Sequence, residues 1–331
     1  MSSFSAVWTA LDRDPIRQGI VQRRVRPDLP HDIFFVQQRP SGNRYIEMRL
    51  FGPVGSLWRK VQPSRGMNAE VLPQSPSKCV LRVYESSHSQ GQLFETVARD
   101  LVGQLSSTTT VSQVDRVCKR LLAWQAFFKS TGTELSEDAQ AGLVAELYVL
   151  RVLIDAWGAR QAIEGWVGPE LAQQDFQHQT IAIEVKSSRA SGPISVEISS
   201  ERQLDSLSLD QLLLVIVTLD ARASGPGLSL PDIVTKCYDQ IAQSDDLLSN
   251  FEDRLIRAGY ASAHRDRYTI KYDAREIQWF DVRGQFPRIV ESMLAAGVGS
   301  VRYRLSVAAC DAWRLDDTAV NEILGEHACR Q

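Results

Sequence analysis

The feature that most constrains the fold is Leu212 to Leu219, LLLVIVTL, an almost uninterrupted apolar run of strand length. A strand with one wet face alternates apolar and polar residues. A continuous Val/Ile/Leu run is buried on both faces, as in the centre of an α/β sheet covered by helices. The segment before it reads differently. Along Ile181 to Ser188 (IAIEVKSS), Ile181, Ile183 and Val185 fall on one side, and Ala182, Glu184, Lys186 and Ser188 on the other. The first set is apolar and β-branched, fit to bury against helices. The second puts a carboxylate and an ammonium on one face, roughly 6–7 Å apart along the strand.

Asp175 lies upstream by a short polar turn, close enough for a neighbouring strand or hairpin arm to return it beside Glu184. Two acidic oxygen ligands and one lysine are the donor set of metal-assisted phosphodiester hydrolysis: the carboxylates hold a hard divalent ion, and the lysine positions water and offsets charge. Ahead of this strand, Ser136 caps a helix expected to run to about Trp157, with Glu137 and Asp138 in its first turn favouring the helix dipole. Leu143, Leu147, Leu150, Ile154 and Trp157 form its apolar stripe, and Gly158 ends it. Glu146 sits on the edge of that stripe. It reads either as a surface glutamate or as an acid drawn toward the sheet.

The pattern Asp175, eight residues, Glu184-Val185-Lys186 resembles the PD-(D/E)XK nuclease superfamily, with Gln174-Asp175 where Pro-Asp usually stands. Around it, the Glu146 helix, Trp166-Val167-Gly168-Pro169, Asp175-Phe176 and Ser199 to Asp205 (SSERQLD) resemble a bacterial branch whose genes often neighbour methyltransferases and helicase-like ATPases in phage-defence clusters. The likeness covers roughly Gly142 to Val217 well and the flanks loosely. It implies an α/β (α+β) fold, a restriction-endonuclease-like core of a mixed central sheet flanked by helices. It also implies a metal-dependent DNA endonuclease using Mg²⁺, with Mn²⁺ as substitute. Asp175, Glu184, Glu146 and the Val185 carbonyl would then ligate metal, and Lys186 would position the attacking water. Gln203 reads either as an orienter of phosphate or water or as an ordinary polar residue. His178, close to Asp175, is a solvated loop histidine or a further site group.

Residues 1–130 are expected to form an N-terminal β-rich region with helices, for DNA or partner contact, and 131–331 the nuclease-like domain with a C-terminal α/β extension. In the first part we expect a helix over Phe4–Leu11, an arginine-rich connector (Arg13, Arg17, Arg23, Arg24, Arg26) and a hairpin over Ile33–Phe51. A loop over Pro63–Pro76, a strand at Cys79–Tyr84 and helices over Gln90–Leu105 and Val111–Phe128 follow. In the second part we expect a strand over Ile194–Ser199, the start of a helix over Glu201–Leu207, and helices over Asp232–Gln243, Asp246–Ala258 and Pro287–Ala296. Arg267–Val282 reads as a hairpin or one long bent strand, and Val301–Val307 as a last strand.

Other chemistries are poorly supplied. There is no H-E-x-x-H, G-x-S-x-G or G-x-x-x-x-G-K-[ST] motif, so any ATP-driven step would belong to a partner. The five cysteines are scattered and never form C-x-x-C, which argues against a disulfide framework or zinc knuckle and for a reducing cytoplasm. No secretory leader or membrane span is visible. A net charge of −3 asks that DNA binding be local, and the arginine-rich connector reads equally as a DNA contact or as a solvated basic face. Two functions follow: an endonuclease of a restriction or defence system, working as a homodimer if it cuts both strands, or a non-catalytic nucleic-acid-binding or assembly subunit.

Overall fold

The structure is a computed structural model that describes residues 4–29, 31–61, 67–85, 91–105, 113–130, 133–241 and 244–328. Pro63, His88, Cys329 and the expected helix ends Gln90, Val111 and Gln243 lie outside the described residues. The chain divides into two compact units, Met1–Glu134 with Leu255–His264, and Leu135–Arg254 with Arg265–Gln331.

The first unit holds α1 (Phe4–Asp12), β1 (Gly19–Val25), β2 (Asp32–Arg39), β3 (Arg44–Phe51), β4 (Met67–Ser75), β5 (Lys78–Glu85), α2 (Gly91–Gly103) and α3 (Gln113–Ser130). Its strands form an antiparallel sheet in the order β1-β2-β3-β5-β4. Alternate side chains of that sheet, such as Phe35, Ile46, Met48 and Val83, bury in one cluster with Trp8, Phe94, Leu121 and Trp124 of the helices. Two expectations fail here. The loop assigned to Pro63–Pro76 contains strand β4. Pro73, the reason for reading it as loop, is tolerated because β4 is an edge strand and Pro73 falls at a register irregularity. Arg23 and Arg24 belong to β1 and not to a connector, and they pair with Asp14 at 2.7 Å and Asp32 at 3.0 Å. Arg26 pairs with Asp28 at 2.8 Å, so much of the basic cluster is neutralised locally.

The second unit holds α4 (Glu137–Trp157), α5 (Ala159–Gly165), β6 (Phe176–His178), β7 (Ile181–Ser188), β8 (Ser195–Ile198), β9 (Gln211–Arg222), β10 (Leu228–Ser229) and α6 (Leu230–Ile241). It continues through most of α7 (Asp245–Arg257) to β11 (Lys271–Asp281), β12 (Tyr303–Ser306), β13 (Arg314–Leu315) and α8 (Asp317–Ala328). Its central sheet runs β10-β11-β9-β7-β6, with β13 beside β11. It is mixed: β7 and β9 are parallel, while β6 and β11 pair antiparallel to their neighbours. As the apolar run required, every residue from Leu212 to Leu219 is buried at its centre. Ser136 caps α4, its hydroxyl accepting from the Ala139 amide at 3.3 Å, and Gly158 ends it at φ +85°.

One face of the sheet, carrying Ala182, Leu212, Leu214, Ile216 and Phe280, is closed by Val196 and Ile198 of β8 and Leu305 of β12, which form their own two-stranded sheet. The other face is left for α4, which packs against β7. Of the span Arg267–Val282, Lys271–Asp281 forms one strand with a register shift between Ala274 and Glu276, while Arg267 ends a 3-10 turn. The helix expected over Pro287–Ala296 is absent, apart from a 3-10 turn at Glu291–Met293. Val290, within that span, is extended and buried. Glu201–Leu207 forms hydrogen-bonded turns and no helix, whereas α5 was not foreseen at all.

Candidate active site

Strand β6 pairs with β7 through Phe176–Ile183, Gln177–Ala182 and His178–Ile181. Continuing that register by one residue puts Asp175 opposite Glu184, the juxtaposition that directly facing strand residues have. The three-residue β6 ends there, so beyond Ile183 the edge of β7 has no strand partner on this side. The Asp175 carboxylate takes that place: its Oδ2 accepts from the Val185 amide at 2.7 Å. Since the N–H and C=O of a strand residue point to the same edge, the Val185 carbonyl faces the side from which Asp175 approaches.

The main chain of Asp175 is fixed as firmly as its side chain. Its carbonyl accepts from the amides of Val167 and Gly168, both at 2.9 Å. Gly168 lies so close that a Cβ there would stand 2.8 Å from Asp175 Oδ1 and 3.1 Å from its Cα. This close approach accounts for the glycine in the Trp-Val-Gly-Pro turn.

Glu184 is 1% exposed. Its Oε1 lies 2.7 Å from Lys186 Nζ, while Oε2 is buried with no hydrogen-bond partner. Lys186 Nζ also donates to Gln203 Oε1 at 3.1 Å, and the same oxygen accepts from the Ser199 amide at 2.8 Å. Gln203 therefore links the lysine to the turn after β8. Glu146 reaches the site from α4, and its Oε2 accepts from Trp166 Nε1 at 2.7 Å.

Burial raises the pKa of all three acids. For Glu146 burial, then the Asp175 charge, pushes it up to about 8. For Glu184 burial and then Asp175 raise it well above the usual carboxylate range, against the pull of Lys186. Asp175 is raised by burial and drawn back by the Val185 amide and Lys186. Three enclosed acids facing one ammonium hold their protons more tightly than usual, and a divalent cation in place of those protons would suit the crowded site.

The donor set fits a hard ion of the magnesium type. Such an ion takes oxygen ligands, keeps several waters, and needs only one or two carboxylates. Asp175 and Glu184 with its orphaned oxygen meet that demand, and the Val185 carbonyl faces the same edge. Glu146 keeps one oxygen on the Trp166 indole N–H. Among the described residues no three His, Cys, Asp or Glu side chains are already gathered into a metal-ligating cluster. The set is thus a pair with a neighbouring third acid.

Sequence reasoning singled out Asp175, Glu184, Lys186, Val185, Glu146 and Gln203, and the structure brings all six together. His178 does not join them, since its ring packs on Trp157 with centroids 5.1 Å apart. Arg202 pairs outward with Glu291 at 3.3 Å. Three supporting residues were given no role by the sequence. Buried Gln174 donates to the carbonyls of Arg202 and Gln203 at 3.1 and 3.3 Å and accepts from Gln177 Nε2 at 2.8 Å. Arg254 donates to the carbonyls of Trp166 at 2.6 Å and Glu164 at 3.1 Å. Only the place of Gln174 beside Asp175 gave a sequence signal. Nothing in the sequence marks Gln177 or Arg254.

A family model described as "Putative PD-(D/E)XK family member, (DUF4420)" matches residues 4–308. No curated protein and no solved structure matches the chain.

Proposed function

The chain belongs to this PD-(D/E)XK family, and on that basis we propose that it is a metal-dependent DNA endonuclease of a restriction or phage-defence system. The observation that carries the reading is the meeting of Asp175, Glu184 and Lys186 at the open edge of β7, with one Glu184 oxygen buried and unpartnered. Membership supports a nuclease-like activity. DNA as substrate and Mg²⁺ or Mn²⁺ as the ion are our reading of the donor set.

In this reading Asp175, Glu184 and the Val185 carbonyl would hold the ion, with Glu146 as the neighbouring acid that could accept a proton. When bound, the ion supplies Lewis-acid polarisation of the phosphate and a more acidic water. The protein's own residues do the rest. Lys186, restrained by Glu184 and Gln203, positions the attacking water and offsets the negative charge that grows on the phosphate. Holding the attacking group in line removes much of the entropic part of the barrier.

Methyltransferase and helicase-like ATPase partners, and a homodimer for cutting both strands, extend the proposal, as does a cytoplasmic location. The last is supported by four buried free thiols, Cys79, Cys118, Cys237 and Cys310. No helix among the described residues is long and apolar enough to cross a membrane. The test is incubation of unmodified phage and plasmid DNA with Mg²⁺ or Mn²⁺, wild type beside Lys186→Ala. Cutting by wild type alone supports the proposal. Equal cutting by both removes the site from it, and no cutting with no metal binding favours the non-catalytic subunit.

A further inference from the structure

The supports of two acids of the site meet on one buried residue, Trp166. Its indole Nε1 donates to Glu146 Oε2 at 2.7 Å. The next two amides, Val167 and Gly168, donate to the Asp175 carbonyl, both at 2.9 Å. A shift of this residue therefore disturbs an acid on α4 and the acid that precedes β6 together.

Two elements hold Trp166 in place. The first is β6: Trp166 forms an antiparallel bridge with Phe176, and the two rings stack with centroids 6.5 Å apart. The chain here runs so close to β6 that a Cβ on Gly165 would stand 2.9 Å from the Gln177 carbonyl oxygen. The second is α7. Phe251 packs on the Trp166 ring with centroids 6.0 Å apart. Arg254, three residues further and so on the same helix face, donates to the Trp166 carbonyl at 2.6 Å.

The grip of Arg254 has a local cause. Trp166 is the C-terminal cap of α5, and Glu164 lies in its last turn. The last carbonyls of a helix have no partner within it, and where the helix end is buried another group must donate to them. Gly165 and Trp166 are buried, and Arg254 supplies the donors. Its Nη1 serves the Trp166 carbonyl and Glu170 Oε1, the latter at 3.0 Å, and its Nη2 serves the Glu164 carbonyl at 3.1 Å. Arg254 is only 6% exposed, and burying a guanidinium is costly unless its acceptors are well placed. An apolar side chain of equal length would fill the same space. It would not fix two carbonyls and a carboxylate at once, as the planar fork of arginine does.

We infer that Arg254 is a positioning residue for cleavage, which acts through Trp166 to set where Glu146 and Asp175 stand beside the Glu184–Lys186 pair. This rests on the nuclease reading and adds to it a residue of α7 that acts only through its neighbours. Misplacing a reacting group by roughly 1 Å costs about a hundredfold in rate. A loosened Trp166 is therefore felt in the chemical step and not in the affinity for DNA.

The test uses the full chain labelled with 5-fluorotryptophan, wild type beside Arg254→Met and Arg254→Lys. Fluorine NMR reads the Trp166 signal, identified by its loss in Trp166→Phe, and steady-state cleavage with Mg²⁺ well below each melting temperature gives kcat and KM. Arg254→Met should move the Trp166 signal and leave the other tryptophan signals in place. It should lower kcat by about tenfold or more, with KM within about twofold of wild type. Arg254→Lys, which keeps the charge without the fork, should recover part of both effects. A lower melting temperature with unchanged kcat makes Arg254 a structural residue only and overturns the inference, leaving the nuclease reading intact. A rise in KM alone also overturns it, as does an unmoved Trp166 signal. If Arg254→Met does not fold, Arg254→Lys decides: a moved signal with reduced kcat supports the inference, and wild-type kcat overturns it. A wild type that cuts no DNA overturns the nuclease reading and this inference with it.

Discussion

The Val185 amide donates to Asp175 Oδ2 at 2.7 Å, so a side chain satisfies the strand edge where a further residue of β6 would otherwise pair. This one bond fixes a carboxylate opposite Glu184 and turns a sheet edge into a site. It also explains why β6 is only three residues long: a longer strand would fill the opening that the carboxylates need.

Three buried acids around one lysine make the site costly to fold, and its removal should show that cost. Lys186→Ala removes the ammonium that pairs with Glu184 and drives that buried acid further toward its protonated form, and should destabilise the protein by about 1–3 kcal/mol. Adding Glu184→Gln should restore most of that stability while leaving cleavage lost. Chemical denaturation of the two single variants and the double variant checks this. A double variant no more stable than Lys186→Ala would contradict it.

The raised acids fix the sign of the pH dependence. With Glu146 near 8 in the folded state and Glu184 also raised, the native protein holds protons that the unfolded chain releases near its ordinary carboxylate pKa. Stability is therefore greatest below about pH 4.5 as far as these groups are concerned, and falls as pH rises toward 8. Glu146→Gln should flatten that slope, and Mg²⁺ should offset the loss at the alkaline end, since it binds the ionised native site. Thermal melts from pH 5 to 9, with and without Mg²⁺, read both effects.

Much of this arrangement was legible in the sequence because it rests on short-range periodicity. The alternation along Ile181–Ser188 fixed which residues share a face, and the run at Leu212–Leu219 placed the centre of the sheet. The failures came where tertiary contacts decide. Val290 is buried in extended backbone where a helix was expected, and Pro73 sits in a strand because that strand is an edge. Gln174 and Arg254 act on carbonyls 28 and 88 residues away, which no local pattern reports.

Gly168→Ala should damage the site without touching a charged group. Its Cβ would press on Asp175 at 2.8 Å from Oδ1 and 3.1 Å from Cα, and both must move. Cleavage should fall by about tenfold to 100-fold, with a stability loss of about 1–3 kcal/mol. Activity equal to wild type would mean that the position of Asp175 is not critical.

Gln203→Leu removes the oxygen shared by Lys186 Nζ and the Ser199 amide. As a positioning residue it should lower kcat about tenfold and leave KM nearly unchanged, and Gln203→Glu, which keeps the acceptor, should recover part of the loss. A variant that raises KM alone would place Gln203 in substrate binding instead.

The most direct measurement is calorimetric titration of Mg²⁺ and Mn²⁺ into wild type, Asp175→Asn and Glu184→Gln at pH 8. Wild type should bind a divalent ion, and that binding should be lost or weakened at least tenfold in each variant, with all three proteins folded. Equal binding in all three, or none in folded wild type, would contradict the assignment of this carboxylate pair as a metal site.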